Sequence, residues 1–237
     1  VSDTDSDTLV FLSIRGNIYD DANGMSNSMV SGSPTNGSGN LYINLVHPTK
    51  GVISSKVVNP DGTYTFTLAE GVDFNTFYDL ILTNSLQPEG FLLTAASYPT
   101  NWVPTGEILG IGTGNDGLIN GILSVNTTAG SISNANFGLD RLPVAFDVTA
   151  SFSNPGGTLT VTVPALSGLD PEDGPLDGGS TLIILSLPAN ATLYYNGNPV
   201  SLNQVIGSYN PAGLSVDPVD GGVTVTFDYA FIDAAGM

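Results

Sequence analysis

Val223-Thr224-Val225-Thr226-Phe227-Asp228-Tyr229 carries an apolar side chain at every second position and Thr or Asp between them. Successive side chains of a strand point to opposite faces, so this spacing gives one apolar and one wet face. A helix would need apolar residues at both three- and four-residue spacings, whereas no two of these apolar positions are three apart. The same period recurs upstream, where Leu159, Val161 and Val163 alternate with Thr158, Thr160 and Thr162. In the N-terminal half Val10, Leu12, Ile14 and Ile18 share one face. Leu41, Ile43 and Leu45, then Tyr64, Phe66 and Leu68, then Tyr78, Leu80 and Leu82 repeat the pattern. Asn59-Pro60-Asp61-Gly62 and Tyr195-Asn196-Gly197-Asn198 are turn signals between such runs. No stretch has a helical period with caps. The expected fold class is all-β, with antiparallel β-sandwich modules in tandem.

The alternation stops at Asp140-Arg141-Leu142-Pro143 and starts again at Val144. This predicts an N-terminal linker over 1–8, one sandwich over 9–140 and a second over 144–237. Ser31 to Asn40, rich in glycine and serine, reads as a loop within the first module.

Composition narrows the function. The 237 residues include 4 Lys+Arg against 22 Asp+Glu, a formal charge of −18. Such a surface repels phosphate backbones and anionic lipid, so nucleic acid is not an expected partner. No apolar run is long enough for direct membrane insertion as a helix. Cysteine is absent, which removes disulfides, thiol catalysis and thiolate zinc sites. His47 is the only histidine and Trp102 the only tryptophan. A zinc site or a Ser–His pair therefore lacks parts, and His47 reads as structural. Trp102 is a candidate for core packing, or less often for sugar stacking. Lys50 and Lys56, the only lysines, read as hairpin residues rather than partners in an isopeptide bond. Asn36, Asn126 and Asn190 begin formal N-glycosylation triplets, and Asp7-Thr8-Leu9 matches a short O-glycosylation signal.

Two turns concentrate oxygen ligands with few cations nearby. Gly16-Asn17-Ile18-Tyr19-Asp20-Asp21-Ala22-Asn23-Gly24 offers Asp20, Asp21 and Asn23. Leu169-Asp170-Pro171-Glu172-Asp173-Gly174 offers Asp170, Glu172 and Asp173. Ca²⁺ takes six to eight oxygens, so each set needs help from another loop. Glu107 and Asp116, in a glycine-rich stretch, are the candidates for the first. Asp233 is the candidate for the second. The bland alternatives are solvated turns. Asp217 and Asp220 read as a hairpin turn.

Residues 9–139 resemble the B-type repeat of staphylococcal Sdr surface proteins and the related transthyretin-like sandwiches of large bacterial surface proteins. The resemblance rests on Gly16 to Gly24, on Pro60-Asp61-Gly62-Thr63-Tyr64-Thr65-Phe66, on Pro99 to Glu107 and on Asn136-Phe137-Gly138. It implies calcium at the Asp-Asp-x-Asn turn, although Gly24-Met25-Ser26-Asn27 replace the acidic residues that usually follow. Residues 144–237 look like a bacterial cadherin-like repeat of giant adhesins. The matching segments are Asp170 to Gly174, Leu187 to Gly197, Phe227 to Ala230 and Asp233-Ala234-Ala235-Gly236. Such repeats continue with one more strand, so the resemblance implies a module truncated within a longer parent.

Together these readings predict a non-catalytic structural or adhesive segment of a bacterial surface or secreted protein, stiffened by Ca²⁺. The expected location is extracellular. Expected partners are neighbouring modules of the same parent, and surface glycans or proteins. The alternative is a glycan- or protein-binding accessory module of a secreted enzyme. Glycoside hydrolysis is weaker, because it needs a cleft with facing carboxylates and aromatic subsites.

Overall fold

A computed structural model describes residues 11–237. The expected linker over 1–8 lies outside the described residues, as do Val10 and the Asp7-Thr8-Leu9 triplet. The fold is all-β, and its helical turns are short 3-10 turns of three or four residues. The chain divides into two compact units that meet at Asp140 and Arg141.

The first unit contains β1 (Ser13–Asp20), β2 (Ser33–Pro34), β3 (Tyr42–His47), β4 (Gly51–Val57), β5 (Thr63–Thr67), β6 (Phe77–Thr83), β7 (Trp102–Leu109), β8 (Ile122–Asn126) and β9 (Ala135–Arg141). One sheet runs β4-β3-β6-β8. The other runs β2-β1-β9-β7, with β5 also paired to β1. The alternation read from sequence faces the core here. Ile14, Ile18, Leu41, Ile43, Leu45, Tyr64, Phe66, Tyr78, Leu80 and Leu82 belong to one buried cluster, together with Trp102 and Phe137. Leu68, expected on the inner face, is exposed, because the chain leaves the strand there for a 3-10 turn capped by Thr67 and Glu70.

The antiparallel rule is broken at β1 and β9. β1 and β9 run parallel, with Ile18 opposite Phe137 and Asp20 opposite Leu139. Gly16 permits a close approach beside this pair. A Cβ at Gly16 would lie 1.7 Å from the Ala135 carbonyl oxygen. That oxygen accepts a 2.5 Å hydrogen bond from the Tyr64 hydroxyl. Asn136 Oδ1 accepts from the Asn17 backbone N–H at 3.0 Å. Three distant sequence segments thus interlock at one point.

The second unit contains β10 (Val144–Ala145), β11 (Val161–Thr162), β12 (Gly168–Asp170), β13 (Gly174–Leu176), β14 (Thr181–Ile184), β15 (Ala191–Tyr195), β16 (Asn198–Pro199), β17 (Val205–Ile206), β18 (Leu214–Pro218) and β19 (Tyr229–Ile232). They form small antiparallel sheets, β10-β12-β13, β11-β18-β15-β16 and β17-β14-β19. Leu182, Ile184, Leu193, Tyr209, Leu214 and Phe231 anchor their common core. The turn at Asn196-Gly197 closes the β15–β16 hairpin with both residues at positive φ, as a type I′ turn requires. Val223 to Asp228 belongs to no strand, and β19 begins only at Tyr229. From Leu159 to Val163 only Val161 and Thr162 enter a ladder. Among the described residues no helix is long and apolar enough to cross a membrane.

Candidate metal centres

In the first unit the acidic turn follows β1. The Asp21 backbone N–H donates to the Leu139 carbonyl at 2.7 Å, which turns its side chain into the protein. There Asp21 is fully buried, and Oδ2 accepts from the Thr105 hydroxyl at 3.1 Å. Gly138 makes the room: a Cβ on it would lie 2.7 Å from Asp21 Oδ2 and 2.3 Å from Thr105 Oγ1. Asp21 Oδ1 is buried without a hydrogen-bond partner. Burial pushes this carboxyl up to about 6, against the lowering effect of the Thr105 and Ser31 hydrogen bonds, with Asp20's charge adding to the rise.

Asp20 and Asp140 bring carboxylate oxygens within 4.8 Å of each other. Asp140 is almost fully buried. Asn23 is half-buried and precedes the 3-10 turn Gly24–Asn27 without capping it through its side chain.

Glu107 sits on β7, fully buried. Its Oε1 accepts from the backbone N–H groups of Asn120, at 3.1 Å, and Gly121. Its Oε2 has no partner, and neither has the buried Tyr98 hydroxyl. Burial pushes the Glu107 carboxyl up to about 7, assisted by the charge of Asp116. Burial also raises the Tyr98 hydroxyl, with Glu107's charge second. Asp116 is exposed, donates its N–H to the Glu107 carbonyl at 2.8 Å and uses Oδ1 to hold the Leu118 N–H. No three of Asp20, Asp21, Glu107 and Asp116 bring carboxylate oxygens within 4.8 Å of one another. The set divides instead into Asp20 with Asp21, and Glu107 with Asp116.

In the second unit Asp170 ends β12 and is 2% exposed. Its Oδ1 accepts from the Glu172 N–H at 2.8 Å and the Asp173 N–H at 2.7 Å, which folds the Pro171 turn over it. Its Oδ2 is buried and has no partner. Asp233 follows β19. Its Oδ1 accepts from the Met237 N–H at 2.9 Å, and its Oδ2 is also buried and has no partner. Burial raises the Asp233 carboxyl, and the charge of Asp170 raises it further. The two carboxylates therefore sense each other. Asp173 is exposed and ties the two segments together, its Oδ2 accepting from the Ala234 N–H at 2.9 Å. Glu172 forms an ion pair with Arg141, the only Lys or Arg in this unit.

Residue choice thus separates two environments. Asp21 and Glu107 each put an unpartnered oxygen in its own buried pocket. Asp170 and Asp233 set theirs in electrostatic reach of each other, although no three of Asp170, Glu172, Asp173 and Asp233 bring carboxylate oxygens within 4.8 Å of one another. Sequence reading marks Asp140 as the start of the break between modules and as the first further suspect for a metal ligand, and it passes over Thr105 and Tyr98. The alternation of Asn136, Gly138 and Asp140 with Phe137 and Leu139 puts the three on one face of β9, a strand buried almost throughout, but does not say what they meet.

Trp102 lies in the first core and is 8% exposed, so it presents no open indole face. His47 packs edge-on to Tyr78, and its Nδ1 accepts from the Thr49 N–H at 3.2 Å. Lys56 is ion-paired to Glu70 and lies over the Phe66 ring. No protein-family model matches the chain, and no curated protein matches it.

Proposed function

We propose that this chain is a non-catalytic structural segment of a bacterial surface or secreted protein, and that a hard divalent cation, Ca²⁺ first, fixes the acidic turn of its second unit. The observation that carries this reading is the pair of inward carboxylate oxygens, Asp170 Oδ2 and Asp233 Oδ2, both buried and without a partner. Burial and the charge of Asp170 make Asp233 costly to ionise, and a shared cation would offset that cost. The cation would join β12 to the segment after β19 without a disulfide, in a chain that has no cysteine. Asp170 and Asp233 would hold it. Asp173 would keep the two segments in register through Ala234. Water would complete the shell, as oxygen-ligand sites allow.

The acidic surface and the lack of thiols support an extracellular setting, where calcium is at millimolar levels and modules of this kind bind at roughly 10⁻⁴–10⁻³ M. The resemblance to adhesin repeats points the same way. The glycan-binding alternative loses its main sequence anchor, because Trp102 packs inside the first core.

Metal content is the first test. Native mass spectrometry on the full chain, purified without chelator and equilibrated in millimolar calcium, should find a calcium adduct that Asp170→Asn and Asp233→Asn each remove. A wild-type spectrum identical to that of the two variants would refute the metal assignment.

A further inference from the structure

The second unit contains a groove of about 520 Å³ that its acidic turn does not use. Phe146, Val148 and Phe152 line it from one segment, and Val223, Val225 and Phe227 from another. Val163 and Leu166, both buried, also contribute. Phe146, Val148, Phe152 and Val223 remain substantially exposed, with Phe152 at 59%. These are apolar side chains in strand alternation, yet neither segment lies in a strand.

The backbone has the same unfinished character. Phe146 is the last residue of its segment to bond through the main chain, its N–H donating to the Ser167 carbonyl at 2.9 Å. Among the described residues, no hydrogen bond reaches the backbone of Asp147–Ser153. In the other segment the Thr224 carbonyl accepts from Asn190 Nδ2 at 2.8 Å, and among the described residues no other backbone group of Val223–Phe227 is bonded. None of these residues has a positive φ, so the strand region is open to them without strain. Unpaired N–H and C=O groups beside an apolar channel are what an added strand requires. The ladder supplies affinity, and pockets for alternate side chains supply specificity.

Charge selects the occupant. The second unit holds Asp147 and Asp228 at the groove and further acids at Asp217 and Asp220, with Arg141 as its only basic side chain. A second copy of this chain would bring another −18 charges to the contact. A segment with Lys or Arg at its flanks would be drawn in. We infer that the groove of the second unit receives a peptide segment from a partner protein, added as a β-strand, with alternating apolar side chains and basic flanks. This stands apart from the cation at Asp170 and Asp233, which lines no part of the groove.

The probe is a synthetic peptide, Lys-Val-Thr-Val-Thr-Val-Lys, titrated against the full chain and followed by hydrogen exchange. Controls replace the lysines by glutamate, or the central valine by proline, which has no N–H to donate. The lysine peptide should bind about tenfold or more tighter than the glutamate peptide at low salt, with the gap narrowing as salt rises. Amides in 147–153 and 223–227 should exchange freely without peptide and become protected with it. Asp147→Lys, an exposed change, should weaken binding several-fold with an unchanged melting point, and Val225→Asp should abolish it. Amides already protected in the free monomer would mean that the groove closes on itself, and would overturn the inference. So would equal binding of all peptides, binding unaffected by Asp147→Lys, or concentration-dependent dimerisation in place of peptide binding.

Discussion

Thr63-Tyr64-Thr65-Phe66-Thr67 and Val223-Thr224-Val225-Thr226-Phe227 have the same alternation and opposite fates. The first is β5, paired residue by residue with β1 and buried at Tyr64 and Phe66. The second makes no ladder and flanks an open groove. Period-two patterning specifies which face is apolar and says nothing about the partner. In the first unit the partner is fixed by contacts outside the strand itself. Gly16 lets the Ala135 carbonyl approach, and the Tyr64 hydroxyl caps that same carbonyl. The glycines beside Val223 do no such work: Gly222 has no heavy atom within 4 Å of an added Cβ.

The sharpest way to break this comparison is to add the missing side chain in both places. Gly16→Val should destabilise the first unit by about 3 kcal/mol or more, because the backbone of β9 must move. Gly222→Val should change stability by less than about 0.5 kcal/mol. Denaturant unfolding of the full chain measures both. Comparable losses would mean that the second segment is packed as tightly as the first.

A smaller effect separates the isolated buried acids from ordinary surface carboxylates. Burial holds Asp21 at about 6 and Glu107 at about 7, above their usual 3.8 and 4.5. Each group therefore binds its proton more tightly folded than unfolded. Its stabilising contribution is complete below the unfolded value and is lost as pH rises through the folded one. In chelator, stability of the first unit should fall between about pH 4 and pH 7, by on the order of 1–3 kcal/mol per group. Asp21→Asn combined with Glu107→Gln should flatten that slope and leave the protein no less stable at pH 7. Thermal melts across this range give the answer, and a slope unchanged in the double variant would remove these two acids as its source.

Much of the first unit is legible in sequence, because its strands alternate cleanly and its marked segments are the ones that meet. Gly16, Tyr64 and Asn136 all lie in stretches the sequence singles out, and all touch the β1–β9 junction. The parallel direction of that pair is not legible, since alternation is identical for parallel and antiparallel neighbours. The candidate sites read less well. The acidic turn at Asp170 and the later Asp233 are visible as oxygen-rich turns, and the structure sets them in electrostatic reach of each other. Glu107 looks like a loop ligand in sequence, yet it is a buried strand residue held by the backbone of Asn120 and Gly121. Proximity between segments more than a hundred residues apart, as at Asp20 and Asp140, leaves no local trace. The open groove is the hardest to foresee, because a strand-like run with no partner looks the same on paper as one that has found it.

The most direct test of the account is a calorimetric titration of calcium into the full chain and into Asp233→Asn, each paired with a melting curve. Wild type should bind with a dissociation constant of roughly 10⁻⁴–10⁻³ M. At about ten times that constant it should gain on the order of 1.4 kcal/mol in the second unit. Binding should weaken as pH falls, because a raised Asp233 carboxyl takes up its proton sooner. Asp233→Asn should lose both the heat and the gain in stability. A melting curve for wild type that neither millimolar calcium nor chelator moves would contradict the central claim.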